Sequence, residues 1–309
     1  HFENYNKYKR LIKISVNMMV DIISEISSIL LCPDDSSDLL LDNKELICTN
    51  CKRKFTIDKN VIDLRPRENL DIVDLDVGKI YKTYYENLVT HGSGGEKIGT
   101  FGTVSNSISS GFVKDVLSRL QEHVSKDMLV CDVGAGSGDY SIELSKKCKL
   151  MLHCDLDLDG IKIAQEHAKK HNIENIVFLY CNYFRLPIKN EIIDLTYSID
   201  ILERGLKHEK KLLLEIERVA KKHSKIIIDF HAKERKSLTH TENEALYMYA
   251  KNEIKDLVSE FKFEIIKIVG TGFIPQLVKY SKTQYNILNP LAKRFSFPPA
   301  RWFVLLFKK

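Results

Sequence analysis

The segment Met128-Leu129-Val130-Cys131-Asp132-Val133-Gly134-Ala135-Gly136-Ser137-Gly138 sets the reading of the whole chain. An apolar strand, Met128–Asp132, runs straight into three glycines at alternate positions, and helix-forming residues follow. A glycine-rich loop between a first strand and its helix lets backbone approach a ligand at the carboxyl edge of an open α/β sheet. The spacing narrows the ligand. A dinucleotide fingerprint, Gly-x-Gly-x-x-Gly, needs its third glycine at position 139, which is Asp139 here. Glycine is scarce, 14 of 309 residues, so its clustering is informative: six more lie between Gly92 and Gly111.

Outward from this loop, apolar runs alternate with helical spacing. Phe112, Val113, Val116, Leu117 and Leu120 mark a helix before the loop. After it come a helix over Tyr140–Lys147, a strand over Leu150–Asp155, a helix over Ile161–His171 and a strand over Ile176–Asn182. The pattern continues as strand Ile193–Ser198, helix Lys210–Ala220, strand Lys225–Phe230, helix Glu244–Phe261 and strands Phe263–Val269 and Trp302–Phe307. Short buried strands joined by amphipathic helices specify a Rossmann-like α/β fold, a seven-stranded, mostly parallel sheet with helices on both faces.

Three further motifs follow the loop in order. Asp155 ends the second strand, where a carboxylate can accept hydrogen bonds from both ribose hydroxyls of a nucleoside. Next come Tyr180-Cys181-Asn182-Tyr183-Phe184-Arg185-Leu186-Pro187-Ile188 and then Ile193-Asp194-Leu195-Thr196-Tyr197-Ser198. Together with the loop they resemble the class I S-adenosylmethionine-dependent methyltransferases over about Phe112–Phe230, nearest to the ubiquinone/menaquinone and small-molecule group. Asn182 stands where that family usually has aspartate, and Ile201-Leu202-Glu203-Arg204 where relatives often read Leu-Glu-His. The resemblance implies S-adenosylmethionine as cofactor. Gly134, Ala135, Gly136 and Gly138 would lie beside its methionine part, supported by Asp132. It implies Asp155 and Leu156 at the ribose, Asn182 and Tyr183 near adenine, and Ser198 near the transferring methyl.

The N-terminal part is a different unit. Asp21–Leu31 has helical spacing and ends at Pro33. Cys32-Pro33-Asp34-Asp35, Cys48-Thr49-Asn50-Cys51 and a closing Leu64-Arg65-Pro66 resemble the small zinc-ribbon module often fused ahead of bacterial methyltransferases. Asp35 replaces the second cysteine of that pattern. Zinc would then be held by Cys32, Asp35, Cys48 and Cys51; the alternative is a ribbon that has lost its metal and is held by apolar contacts. The expected division is an irregular extension at 1–19, the ribbon at 20–68, a linker or lid at 69–111, and the methyltransferase domain with a C-terminal cap or hairpin at 112–309.

Composition excludes several classes. With 44% hydrophobic and 29% charged residues, the chain is neither disordered nor collagen-like. The most apolar stretch, Leu11–Leu31, is broken by Lys13, Asp21 and Glu25, so no membrane span is expected, and no secretory signal is legible. Seven cysteines, an odd number, argue against a disulfide framework and make the reducing cytoplasm the expected compartment. Cys131, Cys148, Cys154 and Cys181 read as small core residues. A net charge of +5 is modest for a nucleic-acid binder.

Acceptor-side candidates are Tyr84, Tyr85 and His91 in the lid, Asp200 and Glu203 after the fourth strand, and His231 after the fifth, with His231 the first choice for a base. The apolar stretch Gly270–Lys309 reads as a cap and hairpin lining an acceptor pocket, or as sheet-edge packing, and the first favours a small or lipid-like acceptor. The alternatives are an RNA base methyltransferase that uses the ribbon, and a non-catalytic partner protein of the same fold.

Overall fold

The structure, a computed structural model, describes residues 22–43, 45–58, 60–67, 108–202, 206–235, 247–273, 282–295 and 297–309. After a short helical stretch at 22–27, an antiparallel meander forms from β1 (Leu39–Asp42), β2 (Glu45–Cys48), β3 (Lys54–Asp58) and β4 (Val61–Asp63). The helix expected over Asp21–Leu31 stops early because Leu30 and Leu31 enter β-bridges, with Ile188 and Asp38 respectively. The Leu31 N–H goes to the Pro187 carbonyl at 2.9 Å, a long-range bond that a further helical turn would forfeit.

The rest alternates. α1 (Ile108–Gln121) leads into β5 (Leu129–Val133), α2 (Ser141–Ser145), β6 (Leu150–Asp155), α3 (Leu158–Lys170) and β7 (Ile176–Tyr180). Then come β8 (Ile193–Leu202), α4 (Leu206–Val219), β9 (Ala220–His231), α5 (Lys251–Ser259), β10 (Phe263–Thr271), α6 (Lys282–Arg294) and β11 (Arg301–Lys308). The sheet order is β1-β2-β3-β4-β7-β6-β5-β8-β9-β11-β10. From β7 to β9 neighbours are parallel, and β11 lies antiparallel between β9 and β10. The expected seven-stranded sheet is therefore present, and the meander extends it. β4 pairs parallel with β7, Ile62 opposite Leu179, so what would be an open sheet edge is covered.

Both faces are buried, which is why the central strands read as unbroken apolar runs. One face joins Leu152, Cys154, Ile226 and Ile228 to Leu213 and Ile216 of α4 and Leu257 of α5, and its core continues into Leu46, Phe55 and Ile62 of the meander. The other joins Val130, Met151, Ile227 and Phe303 to Val116 and Leu120 of α1, Ile142 of α2 and Ala164 of α3. Cys131, Cys148, Cys154 and Cys181 are buried in these cores, as free thiols.

Three further element expectations change. Among the described residues, the helix expected over Glu244–Phe261 is confined to α5, because Tyr249 is extended: it accepts from Lys233 N–H and donates to the His231 carbonyl, forming a bridge beside Ala232. α5 starts once Glu253 reaches back to the Ala250 N–H at 2.7 Å. The helix expected over Tyr140–Lys147 narrows to α2. Inside the C-terminal stretch, α6 separates β10 from β11. The sheet order turns at β5, which sends its successor β6 to one side and has β8 on the other, so a crevice opens at the carboxyl end of β5.

Candidate functional site

The loop leaving β5 fills that crevice. Gly134, Gly136 and Gly138 have φ of 77°, 52° and 84°, the left-handed region that side chains disfavour. Space requires glycine as well. A Cβ on Gly134 would lie 2.4 Å from the Ile201 side chain, and one on Gly138 2.8 Å from the Ala164 Cβ. The N–H groups of Gly134 and Ala135 both donate to the Cys154 carbonyl, at 2.8 and 3.1 Å, tying the loop to β6.

Asp155, at the end of β6, reaches the loop with its carboxylate. Its Oδ2 accepts the Gly136 N–H at 2.6 Å and its Oδ1 the Asp157 N–H at 2.7 Å. Burial pushes its carboxyl up to about 6, against the lowering effect of those two amides. Leu156 follows it, partly buried against the core. Asp132 is buried beneath the loop, where the Tyr197 hydroxyl donates to its Oδ2 at 2.8 Å, and burial raises its carboxyl well above the usual range. The Ser198 hydroxyl donates to the Val133 carbonyl at 2.8 Å and so locks β8 to the start of the loop. Asn182 uses Oδ1 to accept the Phe184 N–H at 2.8 Å, closing the turn after β7. Tyr183 is buried in the core, its ring 4.8 Å from that of Phe184.

His153 supports the loop without having been assigned a role from sequence. It is buried in β6, with Nε2 3.1 Å from the Gly136 carbonyl and Nδ1 2.8 Å from the Ser141 hydroxyl at the start of α2. Burial pushes it down to about 3, so the ring is neutral at physiological pH. A carbonyl only accepts, so Nε2 carries the proton and Nδ1 accepts from Ser141. The signal in the sequence was a histidine inside an otherwise apolar strand.

Beside the loop the ends of β8, β9 and β11 bring four charged or titratable residues together. Arg301 donates from Nη1 to Asp229 Oδ2 at 2.9 Å and from Nη2 to Asp200 Oδ1, and its Nη2 lies 2.9 Å from His231 Nε2. A guanidinium has no lone pair to offer, so Nε2 of His231 is the acceptor and its ring proton sits on Nδ1. The lone pair that a base would use is thus engaged. Asp200 takes φ 69° where the β8–β9 register breaks between Ser198 and Leu202, and its N–H donates to Asp229 Oδ1 at 2.8 Å. Its surroundings disfavour charge, yet the Arg301 guanidinium holds its carboxyl below the usual carboxylate range. Its side chain is 61% exposed and faces the open edge. Asp229 is buried, and burial raises its carboxyl despite Arg301. The Tyr140 phenol, raised by burial and then by the Asp229 and Asp200 carboxylates, belongs to the same neighbourhood.

Of the acceptor-side candidates, the structure brings Asp200 and His231 together; Tyr84, Tyr85, His91 and Glu203 lie outside the described residues. Sequence reading missed Asp229, Arg301 and Tyr140. Charged residues within the apolar strands Lys225–Phe230 and Arg301–Lys308 were the available signal.

At the far end of the sheet, Cys32, Asp35, Cys48 and Cys51 present ligand atoms that all lie within 4.8 Å of one another. The Sγ atoms of Cys32 and Cys51 are 3.7 Å apart, and Cys48 Sγ is 3.5 Å from both Asp35 oxygens. The N–H groups of Asn50 and Cys51 point at Cys48 Sγ, at 3.4 and 3.3 Å. The Ser37 amide, joined by the Asn50 side chain, holds Asp35 well below the usual carboxylate range. Burial pushes the Cys32 thiol up to about 12.

Residues 124–286, a little over half of the chain, match the model of a family described as a methyltransferase domain. Over 54 residues, 17% of this chain and 29% of the relative, the sequence is 41% identical to the probable cobalt-precorrin-6B C(15)-methyltransferase (decarboxylating) of Methanocaldococcus jannaschii. The chain spans less than a third of the length of the curated relatives it matches. Among solved structures, it is similar to the magnesium protoporphyrin IX methyltransferase ChlM of Synechocystis PCC 6803 with bound SAH. The TM-score is 0.55 at 17% identity, with 76% of this chain and 99% of that one covered. The cyclase SpnF is similar too, with a TM-score of 0.53 at 14% identity over 76% of this chain and 96% of that one. At these identities the likeness is one of fold.

Proposed function

The chain belongs to the methyltransferase-domain family, and we propose that it transfers the methyl group of S-adenosylmethionine to an O, N or C nucleophile of a small molecule held over Asp200, His231 and Arg301. The observation that carries this reading is the glycine loop. Left-handed glycines at 134, 136 and 138, two of them without room for a Cβ, bring bare backbone to the carboxyl edge of β5 beside the Asp155 carboxylate. That cradle fits the cofactor. Gly134–Gly138 would lie along its methionine part, Asp155 and Leu156 at the ribose, and Asn182 and Tyr183 toward adenine.

When bound, S-adenosylmethionine supplies a methyl group already electrophilic on its sulfonium. The chain's own task is to hold an acceptor atom in line and keep water out. Asp155 has lone pairs left after Gly136 and Asp157 with which to accept hydroxyl donors. Asp132, through Tyr197, and Ser198, through the Val133 carbonyl, fix the loop from below. A base is needed only for an acceptor that must lose a proton. His231 could take one on Nε2 only after releasing Arg301, whereas Asp200 is ionised and exposed and, with Oδ1 taken by the same guanidinium, would accept on Oδ2. Asp200 is therefore the group to test first.

In the meander, Cys32, Asp35, Cys48 and Cys51 would hold a zinc ion as a structural cross-link, three thiolates and one carboxylate making a closed tetrahedral set.

Calorimetry with S-adenosylhomocysteine tests the cofactor site directly. One site per chain is expected, and Asp155→Ala should weaken it about 10- to 100-fold, the worth of hydrogen bonds to a charged group. Gly138→Val should abolish it. A native chain that binds no S-adenosylhomocysteine overturns the reading.

A further inference from the structure

α6 inverts the usual arrangement of a surface helix. At about 100° per residue, Ile287, Leu288, Leu291 and, just past its end, Phe295 fall within one arc of roughly 100°. That arc faces outward, its side chains between 37% and 73% exposed, and Phe297 beside it is exposed too. Among the described side chains of the helix, those turned inward are small or polar. Asn289 and Ala292 are half-buried, and Asn289 Oδ1 accepts the Phe273 N–H at 2.7 Å, which fastens the helix near the end of β10. An ordinary surface helix turns such apolar side chains toward the core, where their burial stabilises the fold. Here those gains are left unclaimed in one continuous patch, which marks an interaction surface rather than scattered exposure.

Charge identifies the partner. From Ile265 to Lys309 the sequence has no Asp or Glu and eight Lys or Arg. Arg301 and Lys308 are paired, with Asp200 and Asp229 and with Glu191. Arg294 stands exposed at the border of the apolar arc, whereas Lys293 lies across the helix from it, its Nζ 5.9 Å from the Phe273 ring. We propose that α6, with Phe295 and Phe297, docks on an anionic phospholipid surface, the apolar arc entering the head-group boundary and Arg294 at its border meeting lipid phosphates. A second copy of the chain fits this surface worse, because pairing it with itself would bring like charges together. The helix leaves and rejoins the sheet between Thr271 and Arg301, which are cross-strand neighbours, so docking would turn the Arg301 edge toward the lipid.

The test is co-sedimentation of the full chain with phosphatidylcholine vesicles and with vesicles containing phosphatidylglycerol, without cofactor, so the outcome is independent of the methyl-transfer reading. Binding to the anionic vesicles, falling with salt, is expected. Leu291→Ser with Phe295→Ser, and separately Arg294→Glu, should each weaken it at least tenfold while S-adenosylhomocysteine affinity is unchanged. Absence of binding, equal binding to neutral vesicles, or variants that bind as the native chain does would overturn the proposal. So would light scattering that shows a dimer which Leu291→Ser with Phe295→Ser dissociates, since the arc would then be an interface between copies.

Discussion

Asp155 concentrates the electrostatics of the cofactor loop in one carboxyl group. Its value of about 6 lies above the ordinary carboxylate value of about 3.9, so between those pH values the folded chain holds a proton that the unfolded chain has lost. Its contribution to stability in the unliganded chain therefore declines as pH rises through that window. Affinity for the cofactor should run the other way, since the ionised form accepts hydroxyl donors on both oxygens. S-adenosylhomocysteine should bind several-fold more tightly at pH 7.5 than at pH 5 by calorimetry, and Asp155→Asn should flatten that difference; a flat native profile would contradict the assignment. His153 acts differently. Held neutral, it offers one donor and one acceptor, and both are taken by loop and helix.

At the scale of elements, the meander shows how local chemistry and sheet pairing combine. Lys52 and Ser36 adopt φ of 61° and 60°, the tight turns that bring Cys51 and Asp35 round to Cys48 and Cys32. If those four hold zinc, elemental analysis of the purified chain should find one zinc, and Cys48→Ser should lose it. Stripping the metal should lower Tm by at least about 5 °C, as a ligand at about 1,000 times its Kd stabilises by about 4 kcal/mol. A metal-free chain with unchanged Tm would leave the ribbon held by apolar contacts alone. The strands from β5 to β9 were legible because burial on both faces makes each a continuous apolar run. The start of α5 and the outward arc of α6 were not, since the first depends on a bridge from Tyr249 to Ala232 and the second on which side of the helix meets the protein.

For the whole molecule, the parallel pairing of β4 with β7 joins the N-terminal meander and the alternating α/β part through one sheet and one core. A core shared in this way should unfold as one unit. Calorimetric unfolding of the metal-saturated chain should give a single transition that coincides with the loss of circular dichroism; two separate transitions would show that the meander is independent. No helix among the described residues is long and apolar enough to cross a membrane, so docking through α6 would be peripheral. The sequence by itself determined the glycine loop, the order of the elements and the family resemblance, because glycine spacing and apolar periodicity are properties of contiguous residues. Only the tertiary structure decided that Asp200, Asp229, His231 and Arg301 form one hub. They come from three strands that are distant along the chain, and a guanidinium takes on partners only where the sheet order places carboxylates within its reach.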